Sequence, residues 1–179
     1  IEIEIIRICS FAVFLISINS SGNHFEKYPK KMKRNPKDIF FVGIQFILFV
    51  VYLFRFSKID LTIPMRLQLT GLIFSIFGII ISLASIFALN KNLSVFPTPK
   101  QNSELIQSGI YKYIRHPIYS GILFFTFGFS IYSENTLRLL IFFTLFILFR
   151  FKAAYEERLL QDKFLNYVAY KKRPGSFYQ

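Results

Sequence analysis

The sequence predicts an all-α fold, a multi-pass transmembrane helical bundle of about five membrane segments. In this reading the last two segments form a short helical hairpin, and an amphipathic helix follows on the cytoplasmic side. Three observations lead there. Of the 179 residues, 53% are hydrophobic and 19% aromatic, above ordinary globular usage. The apolar residues gather into long runs, while the charged ones fall mostly into the short stretches between runs, the pattern of a chain whose solvent is lipid. The basic residues are distributed asymmetrically over those stretches.

The runs cover residues 3–18, 39–56, 67–89, 117–132 and 137–151. The first holds the lone cysteine, Cys9, which has no partner for an internal disulfide and reads as a small apolar residue in a membrane segment. Acidic Glu2 and Glu4 stand where a signal peptide would be basic, and the start at Ile1 rather than Met reads as incomplete or processed. The third run is the clearest single span. The fourth and fifth fall short of the roughly 20 residues a helix needs to cross the hydrocarbon core. Their connection, Ser133-Glu134-Asn135-Thr136, suits a tight hairpin that spans a thinned bilayer or sits shallow in one leaflet.

With alternate connections on opposite sides, one side collects Lys27, Lys30, Lys31, Lys33, Arg34, Lys37, Lys91, Lys100, Lys112 and Arg115. It also takes Arg150, Lys152, Arg158, Lys163, Lys171, Lys172 and Arg173 from the tail. The other side holds Arg7, Arg55, Lys58, Arg66 and Arg138, a division of 17 against 5 that places the third connection and the tail in the cytoplasm. The net charge of +12 is thus a topology signal. Nucleic-acid binding is not expected, since the charges flank membrane spans and carry no recognition motif; anionic lipid headgroups are the natural counter-charge. No repeat or linker divides the chain, which reads as a single integral membrane domain, with N-terminal membrane helices over 1–92 and a functional half over 93–179. No metal is expected, and His24 reads as solvated.

Two polar stretches are richer in chemistry than connectors require. In the first, Ser108 to Gly121, Pro117 can open a helix at the position where a missing N–H costs nothing. Arg115 and His116 then lie just ahead of that helix, where free backbone N–H groups and the dipole favour an anion such as a carboxylate. Gly121, one turn into the helix, permits close approach of a ligand or a neighbouring helix. Tyr119 is a candidate wall or hydrogen-bond donor. A plainer reading makes Arg115 a membrane anchor and Tyr111, Tyr113 and Tyr119 an interfacial aromatic belt. In the second stretch, residues 153–164 with Leu159, Leu160 and Phe164 at helical spacing suggest the amphipathic helix, continuing out of the fifth membrane segment. Glu156 and Glu157 point about 100° apart on it, so one would face a site and the other water, or both would pair with Arg158 or Lys163. Parity of the spans brings both stretches to the same face of the membrane.

At these residues the sequence resembles the isoprenylcysteine carboxyl methyltransferases and their bacterial relatives, a group similar to the phospholipid N-methyltransferases. The likeness begins near residues 93–99, includes Leu105 to Tyr111, and centres on Arg115-His116-Pro117-Ile118-Tyr119-Ser120-Gly121. It resumes at Glu156-Glu157-Arg158-Leu159-Leu160, then Phe164, Tyr167, Tyr170, Arg173 and Phe177. It departs at Leu165, where such families carry Gly, and at Gln179, where a Pro is expected.

The resemblance implies an S-adenosylmethionine-dependent membrane methyltransferase without a Rossmann domain, methylating a lipophilic small molecule or lipidated acceptor. It assigns Tyr111, Arg115, His116, Tyr119, Gly121, Glu157, Tyr167 and Tyr170 to the cofactor pocket, and catalytic roles to Arg115, Glu156 and Glu157. Such a cofactor offers a carboxylate to Arg115 or His116, an ammonium and a ribose to a glutamate, and a sulfonium to aromatic faces. A carboxylate acceptor needs no general base; for an amine or hydroxyl, Glu156, Glu157 and His116 are the candidates. Two other classes compete: a sterol-reductase-like membrane enzyme using NADPH, and a non-catalytic membrane binding protein on the same scaffold. The acceptor and the oligomeric state are not legible in the residues.

Overall fold

A computed structural model describes residues 35–54, 62–89, 94, 96–99 and 105–171. The first apolar run, 3–18, and the basic cluster at 27–34 lie outside these residues. The described elements are all helical: α1 (Pro36–Leu53), α2 (Met65–Leu89), a 3-10 turn (Gly109–Lys112), α3 (Pro117–Tyr132), α4 (Thr136–Lys163) and α5 (Tyr167–Lys171).

Helix α1 starts three residues before the apolar run because Asn35 caps it, its side chain accepting from Lys37 N at 3.1 Å, with Pro36 just inside. Helix α3 likewise opens on Pro117 and covers the whole fourth run. Asn135 ends the hairpin connection and caps α4 by accepting from Arg138 N at 3.1 Å. Neighbouring Glu134 takes φ 52° and ties the connection to the start of α2, its Oε1 accepting from Gln68 Nε2 at 2.6 Å. Helix α4 does not stop at the end of the fifth run. It continues unbroken for 28 residues, so the apolar run and the acidic stretch are one rod.

Helices α2 and α3 pack antiparallel with their backbones in near contact. A Cβ added at Gly71 would lie 2.6 Å from Gly128 O, one at Gly78 2.5 Å from Gly121 O, and one at Gly121 2.7 Å from Gly78 O. Small residues let two helices approach this closely where lipid supplies no hydrophobic drive. Ser75 Oγ adds a bond to Phe125 O at 3.3 Å, and α1 joins through Tyr52 OH to Thr126 O at 2.8 Å. Tyr52, Phe125, Phe129, Ile141, Leu145, Leu148 and Phe149 form the core.

The distribution of polarity is inverted relative to a water-soluble protein. Ile39, Phe40, Ile47, Ile73, Phe87 and Phe151 are exposed, while Asp38, Gln45, Ser85, Thr126, Arg138 and Lys152 are buried. Among the described residues two helices, α1 and α2, are long and apolar enough to cross a membrane; α3 is apolar but shorter.

Candidate active site

The sequence between the 3-10 turn and α3 is short and stiff. Gly109 takes φ 61°, admitting the turn that buries Tyr111. His116 is the N-cap residue of α3 with no side-chain capping bond, so its imidazole is free to point away from its own helix. It points at α4. Nδ1 of His116 lies 3.5 Å from Glu156 Oε2, and Nε2 lies 3.5 Å from Glu157 Oε1. One imidazole therefore spans both carboxylates, and neither glutamate is left to water as the helical spacing suggested.

Each glutamate has a second set of partners. Tyr119 OH donates to Glu156 Oε1 at 2.5 Å. Arg115 Nη1 donates to Glu157 Oε1 at 2.7 Å, and Lys171 Nζ sits 2.8 Å from Glu157 Oε2. The ion pairs on Glu157 come from Arg115, His116 and Lys171, while Arg158 and Lys163 are exposed. Burial alone would raise the Glu157 carboxyl, but contacts from His116 and Lys171 and the charge of Arg115 outweigh it and hold it at about 2. Glu157 is therefore an anion at any physiological pH.

Tyr119 is held from several directions. Its ring stacks on His116 at 5.5 Å and on Phe149 at 4.6 Å, and Lys152 Nζ lies 5.2 Å from its centroid. Tyr170 OH donates to the carbonyl of Tyr111, which fastens α5 to the 3-10 turn. Tyr167 packs against Tyr170 at 5.8 Å. Burial raises the hydroxyls of both Tyr111 and Tyr167, and the charge of Glu156 on the first and Glu157 on the second adds to it. Both stay neutral phenols.

Of the residues picked from the sequence, Arg115, His116, Tyr119, Glu156 and Glu157 are in mutual contact, with Tyr111, Tyr167 and Tyr170 packed alongside. Gly121 stands apart: it is buried against α2, beside Gly78 and Ser82, so its missing Cβ serves helix packing. Two neighbours went unrecognised. Lys171 and Lys152 were counted only as topology charges, yet one completes the Glu157 cluster and the other lies against Tyr119. A usable signal existed for Lys152, which is one turn before Glu156 on the same face of α4.

Two buried nitrogens in the cluster, Nε of Arg115 and Nε2 of His116, have no hydrogen-bond partner. A buried donor without an acceptor costs about 1–3 kcal/mol, so such groups mark a place where a ligand is accommodated or strain is stored. Among the described residues no group of three or more His, Cys, Asp or Glu side chains could hold a metal ion.

A search among curated proteins found no match. The family model described as phospholipid methyltransferase matches residues 67–166, which run from α2 through the hairpin to the Glu156–Glu157 pair. A match that spans more than half of the 179 residues, and carries the carboxylates with the loop that faces them, shows that this chain belongs to the phospholipid methyltransferase family.

Proposed function

We propose that the chain is an S-adenosylmethionine-dependent methyltransferase of the membrane, acting on a lipophilic acceptor at the cytoplasmic face. The carrying observation is the Arg115–Glu157–His116–Glu156–Tyr119 cluster with buried donors left over. Its donor set suits a zwitterion. The Nε of Arg115, which has no hydrogen-bond partner, would receive a carboxylate with the His116 ring beside it, and Glu156 and Glu157 an ammonium and ribose hydroxyls. Tyr111, Tyr167 and Tyr170 would provide neutral aromatic faces for a sulfonium. When bound, the cofactor supplies an electrophilic methyl group. The chain's part is to align it and keep water out, which for an in-line displacement is most of the catalysis.

In the proposed topology five segments cross or enter the bilayer, with the N-terminal helices over 1–92 and the cofactor-binding half over 93–179. Two apolar helices and the family support a membrane protein. The lysine and arginine asymmetry supports a cytoplasmic site, and the unbroken α4 would carry Glu156 and Glu157 out of the bilayer on that side. The acceptor enters this reading as a lipid or prenylated molecule reached from the bilayer.

The test is binding of S-adenosylmethionine to the purified full chain in nanodiscs, followed by transfer of labelled methyl to a lipid extract of the source membrane, with the product identified by mass. Saturable binding that Arg115→Ala weakens about tenfold or more while the fold persists is the expected result. Binding of NADPH instead, or equal binding by the parent and Arg115→Ala, refutes the assignment.

A further inference from the structure

Lys152 is 2% exposed, among the most buried side chains described, although it carries an ammonium. Taking such a group out of water costs several kcal/mol, and an apolar residue of similar length would fill the same space more cheaply. Its surroundings supply a use for the charge. Nζ donates to Gln45 Oε1 at 2.8 Å and lies 5.2 Å from the centroid of the Tyr119 ring. Burial pulls its ammonium down from the usual lysine range, and the charges of Glu156 on α4 and Asp38 on α1 oppose that. Along α4, Phe149, Lys152 and Glu156 share one face. All three engage Tyr119: Phe149 stacks on its ring, Lys152 approaches that ring, and Glu156 accepts from its hydroxyl at 2.5 Å.

We infer that Lys152 is a positioning residue for the cofactor pocket, balancing the charge of Glu156, fixing Tyr119, and tying both to Gln45 on α1. This inference rests on the proposed function. It adds that α1, which lies outside the family match over residues 67–166, reaches the pocket through one buried lysine. Lys152 acts through Glu156 and Tyr119. With the ammonium removed, Glu156 loses its buried counter-charge and Tyr119 the cation beside its ring, so the pocket holds the cofactor less well.

The experiment is calorimetric titration of S-adenosylmethionine into the full chain in nanodiscs, for the parent, Lys152→Met, Lys152→Arg and Gln45→Leu, with thermal unfolding of each. Lys152→Met keeps the length without the charge, and its affinity is expected to fall about tenfold or more. Lys152→Arg keeps the charge and is expected to bind clearly more tightly than Lys152→Met, with Gln45→Leu between Lys152→Met and the parent. Should Lys152→Met fail to fold, Asp38→Asn with Lys152→Met removes the buried charges together, and the same loss is expected of it. Parent binding with no loss in Lys152→Met, or an equal loss in Lys152→Arg, overturns the positioning role alone. A parent that binds no S-adenosylmethionine refutes the proposed function and this inference with it.

Discussion

The α2–α3 contact makes a quantitative prediction, because backbone meets backbone there and has little room to yield. A Cβ at Gly78 would sit 2.4 Å from Phe125 N and 2.5 Å from Gly121 O, and ordinary van der Waals contact begins at 3.4 Å, so Gly78→Ala requires the helices to part by about 1 Å. Alanine offers up to about 1 kcal/mol of helix propensity over glycine, against an overpacking cost of roughly 1–3 kcal/mol. The net is a loss of about 0–2 kcal/mol in stability. The effect on the site is larger in proportion. Helix α3 carries Tyr119 near its first turn, and His116 and Arg115 precede it, so a shift of nearly 1 Å stretches the 2.5 Å bond from Tyr119 OH to Glu156. Misplacements of about this size cost about a hundredfold in catalysis where alignment dominates.

Gly43→Ala on α1 is the control, since nothing lies within 4 Å of a Cβ there. Thermal unfolding in detergent and S-adenosylmethionine affinity are measured for both variants. Gly43→Ala is expected to be neutral or slightly stabilising with unchanged affinity, and Gly78→Ala to lose affinity by more than its stability change implies. If Gly78→Ala matched Gly43→Ala in both measurements, the close approach of α2 and α3 and its link to the site would be wrong.

Two other predictions concern charge. Because the folded Glu157 carboxyl is held at about 2 against an ordinary 4.5, it stabilises the fold above pH 4.5, and that contribution fades as pH falls from 4.5 toward 2. The difference in thermal midpoint between the parent and Glu157→Gln should therefore shrink across that window; a difference constant with pH would contradict the ion-pair assignment. In the five-segment topology, single cysteines replacing the exposed Lys112 and Lys163 should both resist an impermeant thiol reagent in intact cells and react once the membrane is opened, judged against Cys9→Ser, and labelling of either in intact cells reverses the proposed orientation.

What the residues disclosed in advance was local. Pro117 opening α3, the four-residue connection and the length of α2 are all set by neighbours in sequence, through capping, ring constraint and apolar run length. The Arg115–His116 pair and the two glutamates were legible as chemistry for the same reason. What spacing could not give was the partner across space. Lys152 meets Gln45 over a separation of 107 residues, and nothing periodic links them. The 100° between Glu156 and Glu157 was sound helix geometry, but it misjudged exposure, because His116 is broad enough to meet both and Lys171 returns from α5 to cover the outer one. Gly121 was legible as a place of close approach; which of ligand or helix approached required α2 to be in place.

The unbroken course of α4 explains how the cluster is held rigidly. Phe149 and Leu145 are fixed in the bundle core, and Lys152, Glu156 and Glu157 follow on the same rod with no hinge between. The facing groups start from the first turn of α3, whose rotation is locked by Gly121 against Gly78 and Gly128 against Gly71. Both walls are thus extensions of packed helices, and α5 with the 3-10 turn closes the remaining side through Tyr170 and Tyr111. Preorganisation of this kind keeps Glu157 ionised and both glutamates aimed before any ligand arrives, so a ligand meets donors and acceptors already fixed in place. Substitutions in the bundle, well away from Arg115 or Glu157, therefore act on the site through helix placement, most of all at the close backbone contacts of Gly71, Gly78, Gly121 and Gly128.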